Sequence, residues 1–213
     1  MFDLDGTLVD SVPDITTSLN LMLEELDMPS RSVMQVRNCM GNGADRLINR
    51  ALTGEFDGEA AKNLFLRARK MFQDFYSQHL CEESSVYPGV IDGLVALRNQ
   101  SCILACVTNK PRCFAPELMR ALNLDHYFEV LVCGDDLLVK KPDPLPLLKV
   151  LEKVRLKPSQ AVMVGDSASD IKAAKAANMK SFCLRYGYHQ GKGVDALGAD
   201  YIIDSVTEIA DYI

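Results

Sequence analysis

The chain has 213 residues, 48% of them hydrophobic, which suits one fair-sized domain or a core with an inserted lobe. Acidic residues outnumber basic ones by 29 to 23, and the net charge of −6 without a long basic cluster argues against a nucleic-acid partner. No stretch approaches the roughly 20 apolar residues of a membrane helix, and no targeting segment is visible. We therefore expect a cytoplasmic protein that binds neither nucleic acid nor a membrane.

Seven cysteines are spread along the chain without a Cys-x-x-Cys pair or a Cys/His pair at zinc-ligand spacing. Their odd number and their scatter are typical of reduced thiols in a cytosol. Most lie in apolar runs such as 102–107, where we expect them to be buried as small hydrophobic side chains.

The chain opens with two carboxylates, Asp3 and Asp5, and Gly6 follows where a strand would have to turn. Because side chains alternate along an extended backbone, both carboxylates point the same way. Two like charges this close favour either a shared proton or a bound cation, and both are characteristic of catalytic and metal sites. An acidic turn after a strand is the simpler alternative. Only two residues precede Asp3, so the pattern leaves open whether further strand residues come before Met1.

The next segment, residues 13–82, is predicted to be consecutive helices without a strand. Pro13 suits the first turn of a helix, and apolar residues recur at helical spacing in three sets separated by Pro29-Ser30 and Gly41-Asn42-Gly43. We interpret this segment as a helical cap domain inserted into a discontinuous core of residues 1–12 and 83–213. The two crossings between core and cap lie side by side and form a hinge.

From Val86 onward, short apolar runs alternate with helical patterns, and such runs suit strands buried on both faces of a parallel sheet. The predicted strands are Cys102–Val107, Glu129–Cys133, Ala161–Val164, Lys180–Leu184 and Asp200–Ile203. The predicted helices begin near Pro88, Pro111, Pro144, Ala168 and Ser205. Asn178 follows one of them where a left-handed residue is common. The alternation predicts an α/β fold, a Rossmann-like parallel sheet with right-handed crossovers.

Polar clusters follow these strands, at the sheet edge where open α/β folds bind ligands. Thr108 and Asn109 follow the second strand and precede a helix N-terminus, which could hold phosphate oxygens or be an ordinary helix cap. Lys141 precedes two prolines that stiffen its backbone, although a solvated lysine pair is the alternative. Asp166 ends a further strand, and Asp170 four residues later either shares its site or only complements the helix dipole.

Together the clusters resemble the four motifs of the haloacid dehalogenase superfamily, specifically its phosphohydrolases with a C1 cap. The matching residues are Asp3-x-Asp5, Thr108, Lys141 ahead of Pro-x-Pro, and Gly165-Asp166-Ser167-x-x-Asp170. They occur in the family's order, each after its own predicted strand, and the helical lobe follows the first motif directly. The resemblance covers essentially the whole chain.

This resemblance implies an Mg²⁺-dependent phosphohydrolase that acts on a small phosphorylated metabolite through an aspartyl-phosphate intermediate. It makes Asp3 the nucleophile and Asp5 the general acid/base. It implies that Mg²⁺ is held by Asp3, the backbone carbonyl of Asp5 and Asp166, with Asp170 a further ligand or a residue that orients the metal shell. The residues implied to hold phosphoryl oxygens are Thr108, Asn109 and Lys141.

Shorter stretches look like those of bacterial phosphoglycolate phosphatases, namely 40–45, 107–111, 134–144 and 186–188. The expected reaction is therefore hydrolysis of 2-phosphoglycolate to glycolate and phosphate, by a monomer or a homodimer. The loop Gly41-Asn42-Gly43 either selects the leaving group, with Asp45 or Arg46 facing the site, or simply joins two helices.

Other functions stay open at this point. A pyrophosphatase or a phosphotransferase of the β-phosphoglucomutase type would use the same core. A dehalogenase has no need of Asp5, and a receiver-like regulatory module needs neither Asp5 nor a cap. A sugar-nucleotide enzyme is remote because no Gly-x-Gly-x-x-Gly follows a strand.

Overall fold

The computed structural model describes residues 1–41, 43–189 and 193–212. Parallel strands with flanking helices form a core that carries a helical cap, which confirms the predicted fold class. None of the helices in the described ranges is long and apolar enough to cross a membrane.

The sheet is built around the first three residues of the chain. The strands are β1 (Val9–Asp10), β2 (Ser85–Val86), β3 (Ala105–Val107), β4 (Val130–Val132), β5 (Val162–Gly165), β6 (Lys180–Leu184) and β7 (Tyr201–Ile203). The Phe2 N–H donates to the Ala105 carbonyl at 2.8 Å, and the Asp3 N–H donates to the Val164 carbonyl at 3.0 Å. With the parallel pairs β3–β4, β5–β6 and β6–β7, the order is β4, β3, residues 1–3, β5, β6, β7.

Every predicted strand of the sheet is present, but several are shorter than predicted. The run Cys102–Val107 begins as a strand only at Ala105, because the Cys102 N–H donates to the Leu97 carbonyl and closes the preceding helix. The core helices are α5 (Val90–Asn99), α6 (Ala115–Ala121), α7 (Leu145–Val154) and α8 (Ala168–Ala176). The last predicted helix is instead a 3-10 helix, Val206–Asp211. Asn178 has a φ of 56°, as predicted for the residue after α8.

The described part of residues 13–82 contains helices and turns and no strand, as predicted. The helices are α1 (Val12–Glu24), α2 (Val33–Cys39), α3 (Ala44–Thr53) and α4 (Lys62–Gln78). Pro13 lies in the first turn of α1, and the apolar face of α1 packs against α2, α3 and α4. Its buried apolar residues are Val12, Ile15, Leu19, Met22 and Leu23.

The two chain crossings between core and cap lie side by side. The structure pairs β1 with β2 as an antiparallel ladder there, with Val9 opposite Val86 and Asp10 opposite Ser85. Two residues on each side are too few to show a periodic pattern, so the sequence did not reveal this ladder. The cap boundaries at residues 13 and 82 remain a prediction.

Asp14 stabilises the same junction through hydrogen bonds. Its side chain is 1% exposed and accepts hydrogen bonds from the Glu83 N–H at 2.8 Å, the Ser84 N–H at 2.9 Å and the Ser84 hydroxyl at 2.5 Å. A buried carboxylate that accepts several hydrogen bonds is well compensated, whereas the same donors without an acceptor are destabilising. Asp14 therefore ties the first turn of α1 to the segment that returns from the cap.

We expect Asp14→Ala to lower the free energy of unfolding by about 2 to 4 kcal/mol, because it leaves the buried Ser84 donors without an acceptor. Urea unfolding followed by circular dichroism measures the change. Glu24→Ala removes an exposed carboxylate from the same helix and should stay within about 0.5 kcal/mol of wild type. Equal effects of the two substitutions would contradict this role of Asp14.

Candidate active site

Four of the predicted site residues meet at the carboxyl ends of the central strands. Asp3 ends the central segment, Asp166 follows β5, and Asp170 lies in the first turn of α8. A carboxylate oxygen from each of the three lies within 4.8 Å of the others. The side chain of Lys141, from the loop after β4, contacts Asp3 and Asp170 of this cluster. The parallel sheet explains this convergence, since the carboxyl ends of its strands share one edge.

Lys141 is the cation of this cluster, and its side chain is 1% exposed. Its Nζ lies 2.6 Å from Asp170 Oδ1 and 3.0 Å from Asp3 Oδ1, and it donates to the Val107 carbonyl at 2.5 Å. Burial by itself would lower the pKa of Lys141, but the Asp170 and Asp3 carboxylates outweigh burial and raise that pKa above its usual value. The lysine is therefore a permanent cation between two acids, not a solvated surface residue.

The carboxylates of the cluster carry more negative charge than Lys141 balances. Burial raises the pKa of Asp3 to about 7, Lys141 opposes this shift, and Asp170 adds to it. Burial also raises the pKa of Asp166 well above its usual range, with further repulsion from Asp170 and Asp3. Buried carboxylate oxygens with excess negative charge are a donor set that suits a hard divalent cation.

Asp166 and Asp170 are held in place by neighbouring donors. Asp166 accepts from the Thr7 hydroxyl at 2.8 Å and from the Tyr188 N–H at 2.7 Å. Asp170 Oδ2 accepts from the N–H of Ser167 at 3.0 Å and from its hydroxyl at 2.7 Å, so Asp170 caps α8 as well as pairing with Lys141. The two alternatives weighed for Asp170, a shared site and a helix-terminal charge, hold at the same time.

Asp5 lies beside this cluster, but its carboxylate points elsewhere. Asp5 Oδ1 accepts from the Ser11 hydroxyl at 2.6 Å and lies 3.0 Å from Lys110 Nζ. The side chain is 15% exposed and lines the same cavity as Asp3. Asp5 is thus placed as a separate, partly accessible acid, and its contribution to a metal through the backbone carbonyl stays a prediction.

Thr108 and Asn109 follow β3 at the same edge. Thr108 is buried, lines the cavity, and accepts from the Lys110 N–H at 3.1 Å through its hydroxyl oxygen. The Asn109 side-chain amide donates to the Lys141 carbonyl at 2.9 Å, while its Oδ1 is buried and has no hydrogen-bond partner among the described residues. Asn109 therefore positions the backbone of Lys141, and its predicted contact with phosphoryl oxygens remains a prediction.

The comparisons with known proteins agree with this site. Residues 1–184 match the family model described as haloacid dehalogenase-like hydrolase. The chain belongs to this family. It is 42% identical over 213 residues to phosphoglycolate phosphatases of Nitrosococcus oceani and Nitrosospira multiformis, covering 100% of this chain and 95% and 94% of theirs. A crystal structure described as a predicted phosphoglycolate phosphatase from Haemophilus somnus superposes with a TM-score of 0.92 at 36% identity, covering 99% of this chain and 95% of that one.

Residues of the core and the cap together line a cavity of about 80 Å³ at the site of this haloacid dehalogenase-like hydrolase. Gly41 and Gly43 line it, so the cap loop does face the site, while Asn42 lies outside the described residues. Neither Asp45 nor Arg46 is among the described residues that line the cavity. Asp45 pairs with Arg69 and Arg46 pairs with Asp57, both at 3.0 Å, within the cap. The expectation that one of these two faces the site is wrong, because each forms an ion pair with another residue of the cap instead.

The sequence analysis missed two residues of the site, Lys110 and Tyr76. Lys110 Nζ donates to Tyr76 Oη at 2.6 Å and joins the acid Asp5 of the core to helix α4 of the cap. Lys110 lies next to Thr108 and Asn109 in the stretch 107–111, and this position in the sequence could have indicated its role. Tyr76 lies 34 residues away along the chain in an amphipathic helix, so no local spacing indicates its contact.

Gly6 lets the chain turn tightly against Asp166. Its φ is +85°, and a Cβ at this position would lie 2.3 Å from Asp166 Oδ2.

We expect Gly6→Ala to lower the free energy of unfolding by about 2 to 4 kcal/mol, because alanine is strained in the left-handed conformation and its Cβ would displace Asp166. Urea unfolding tests this. Gly193→Ala is the control, because no atom of the described residues lies within 4 Å of its added Cβ, and equal unfolding midpoints for the two variants would refute the argument.

Proposed function

We propose that this chain is an Mg²⁺-dependent phosphohydrolase that converts 2-phosphoglycolate to glycolate and phosphate through an aspartyl-phosphate formed on Asp3. The observation that carries the proposal is the buried cluster of Asp3, Lys141, Asp166 and Asp170 at the strand ends. The name shared by full-length relatives at 42% identity supports the choice of substrate.

The residues that would hold Mg²⁺ are Asp3, the backbone carbonyl of Asp5 and Asp166, with Asp170 as a further ligand or as an orienting neighbour. Carboxylate and carbonyl oxygens are the ligands that Mg²⁺ prefers, and the excess negative charge of the cluster fits a divalent cation. When bound, Mg²⁺ supplies charge neutralisation for the phosphoryl group and the crowded acids.

Asp3 is oriented for nucleophilic attack. Its Oδ1 accepts from the Leu4 N–H at 2.7 Å and lies 3.0 Å from Lys141 Nζ. In the proposed reaction the Asp3 carboxylate attacks phosphorus, the bond to the leaving oxygen breaks, and an aspartyl-phosphate forms. Thr108 and Lys141 hold the phosphoryl oxygens, which a carboxylate nucleophile by itself would repel.

Asp5 moves the proton in both half-reactions. It protonates the glycolate alkoxide as it leaves, and it then takes a proton from the water that hydrolyses the aspartyl-phosphate. The Ser11 hydroxyl at 2.6 Å and Lys110 Nζ at 3.0 Å fix its carboxylate. Two acids with different neighbours thus divide the work, Asp3 as nucleophile and Asp5 as acid/base.

The cap, proposed to span residues 13–82, covers the site with apolar side chains. Met40, Leu47 and Phe72 line the cavity from the cap side. Closing such a surface over the cluster expels water from the site and strengthens the electrostatic contacts within it. The β1–β2 ladder, where both crossings meet, is the hinge about which the cap would open.

A substrate panel tests the activity. With Mg²⁺ present, we expect kcat/KM for 2-phosphoglycolate to exceed that for pyrophosphate, β-glucose 1-phosphate, a nucleotide monophosphate and p-nitrophenyl phosphate by about two orders of magnitude. Asp3→Asn should lower turnover by at least about three orders of magnitude, because the amide is not a nucleophile. Asp125→Asn, an exposed acid of the core, is the control. Preference for pyrophosphate, or rescue by a bisphosphate activator, would support the pyrophosphatase or mutase alternative instead.

Removal of either Mg²⁺ or the Lys141 ammonium should abolish turnover. EDTA should reduce phosphate release to background and excess Mg²⁺ should restore it, since the acids would otherwise repel the phosphate dianion. Lys141→Ala should lose at least about two orders of magnitude in kcat, with thermal melting recorded to show that the variant is folded. Lys149→Ala removes an exposed lysine as the control. Turnover that survives both EDTA and Lys141→Ala would refute the mechanism.

A further inference from the structure

Lys110 contacts Asp5 and also lines the cavity in which the substrate would lie. The charged residues among the described cavity lining are Asp3, Asp5, Lys110 and Asp166. Lys110 is the cation among these described lining residues, whereas Lys141 lies between Asp3 and Asp170 and is proposed above to hold the phosphoryl group. A second negative group of a ligand, beyond the phosphoryl group, would therefore find its cation in Lys110.

The contacts of Lys110 place its ammonium between core and cap. Nζ is 3.0 Å from Asp5 Oδ1 and donates to Tyr76 Oη at 2.6 Å, and it lies 4.6 Å from the centre of the Tyr76 ring. The residue is 6% exposed. The ammonium thus lines the cavity as one partner of an ion pair with Asp5, held from the other side by the Tyr76 hydroxyl.

The position of Asp5 fixes where the rest of the substrate lies. A general acid must be within hydrogen-bond reach of the leaving oxygen. In 2-phosphoglycolate the carboxylate is separated from that oxygen by a single methylene, so it lies within about 4 Å of Asp5's proton, next to Lys110. Ile15, Leu47 and Phe72 are apolar members of the lining and offer no partner to a carboxylate. A carboxylate buried there without a cation would be strongly unfavourable.

We propose that Lys110 binds the carboxylate of the substrate and thereby selects phosphoesters whose leaving group carries an anionic group next to the reacting oxygen. This inference rests on the function proposed above. An ammonium has three N–H donors. Tyr76 and Asp5 accept two of them, and the substrate carboxylate accepts the third. Tyr76 holds the lysine in this position from the cap side, so selection takes place in the closed form.

The test compares two substrates that differ only in this carboxylate, 2-phosphoglycolate and ethyl phosphate, on wild type and Lys110→Met in the presence of Mg²⁺. The ratio of their kcat/KM values should fall by roughly 10- to 100-fold in Lys110→Met, mainly through KM for 2-phosphoglycolate. Dividing the two values removes any effect that the substitution has on both substrates through Asp5. Lys149→Met, which removes an exposed lysine of α7 that is not among the described lining residues, should leave the ratio unchanged.

A ratio that is preserved in Lys110→Met, with both substrates slowed equally, overturns the inference and leaves Lys110 as a positioning residue for Asp5. The proposed function survives that outcome if wild type still prefers 2-phosphoglycolate. A wild type without this preference overturns both.

A measurement on wild type keeps the inference testable if Lys110→Met does not fold. Glycolate should inhibit hydrolysis of ethyl phosphate at a concentration at least about 10-fold lower than glycolamide, its uncharged counterpart, and equal inhibition overturns the inference.

Discussion

The contact on which the rest of the structure depends is the buried ammonium of Lys141 between Asp3 and Asp170. Its Nζ lies 3.0 Å and 2.6 Å from their carboxylates, and the three residues come from the first strand segment, the loop after β4 and the first turn of α8. Buried charges are tolerated only when they are paired, and removing one partner leaves the other uncompensated. The cluster therefore fixes the relative positions of these segments.

Lys141 and Lys110, both buried, illustrate how surroundings divide roles between identical side chains. Lys141 contacts the proposed nucleophile, whereas Lys110 lines the cavity and contacts the proposed acid/base Asp5. The first is held wholly by the core. The second depends on Tyr76 of the cap, so its position is tied to cap closure. In the proposed mechanism, the core supplies the reacting groups, and the boundary between core and cap selects the substrate.

The junction between core and cap is held by backbone and side-chain hydrogen bonds. Two short strands pair side by side where the chain crosses, and Asp14 ties the first turn of α1 to the returning segment. Both crossings are thereby held together, and Gly41 and Gly43 of the cap line the cavity in this arrangement.

The sequence by itself determined the α/β alternation, the order of the strand-end clusters and the convergence of Asp3, Lys141, Asp166 and Asp170 near one edge. It could do so because buried parallel strands appear as short apolar runs, and because the carboxyl ends of such strands must meet. Strand ends were less predictable, as the late start of β3 shows, because hydrogen bonds of a preceding helix decide them.

Only the tertiary structure decided how the cap meets the core. The Lys110–Tyr76 contact, the β1–β2 ladder, and the ion pairs that keep Asp45 and Arg46 within the cap all join residues whose spacing along the chain carries no periodic signal. Local patterns give the buried face of a helix but not the residue that faces it. That choice is made when the helices pack, since packing and charge pairing across the junction act on the whole chain at once.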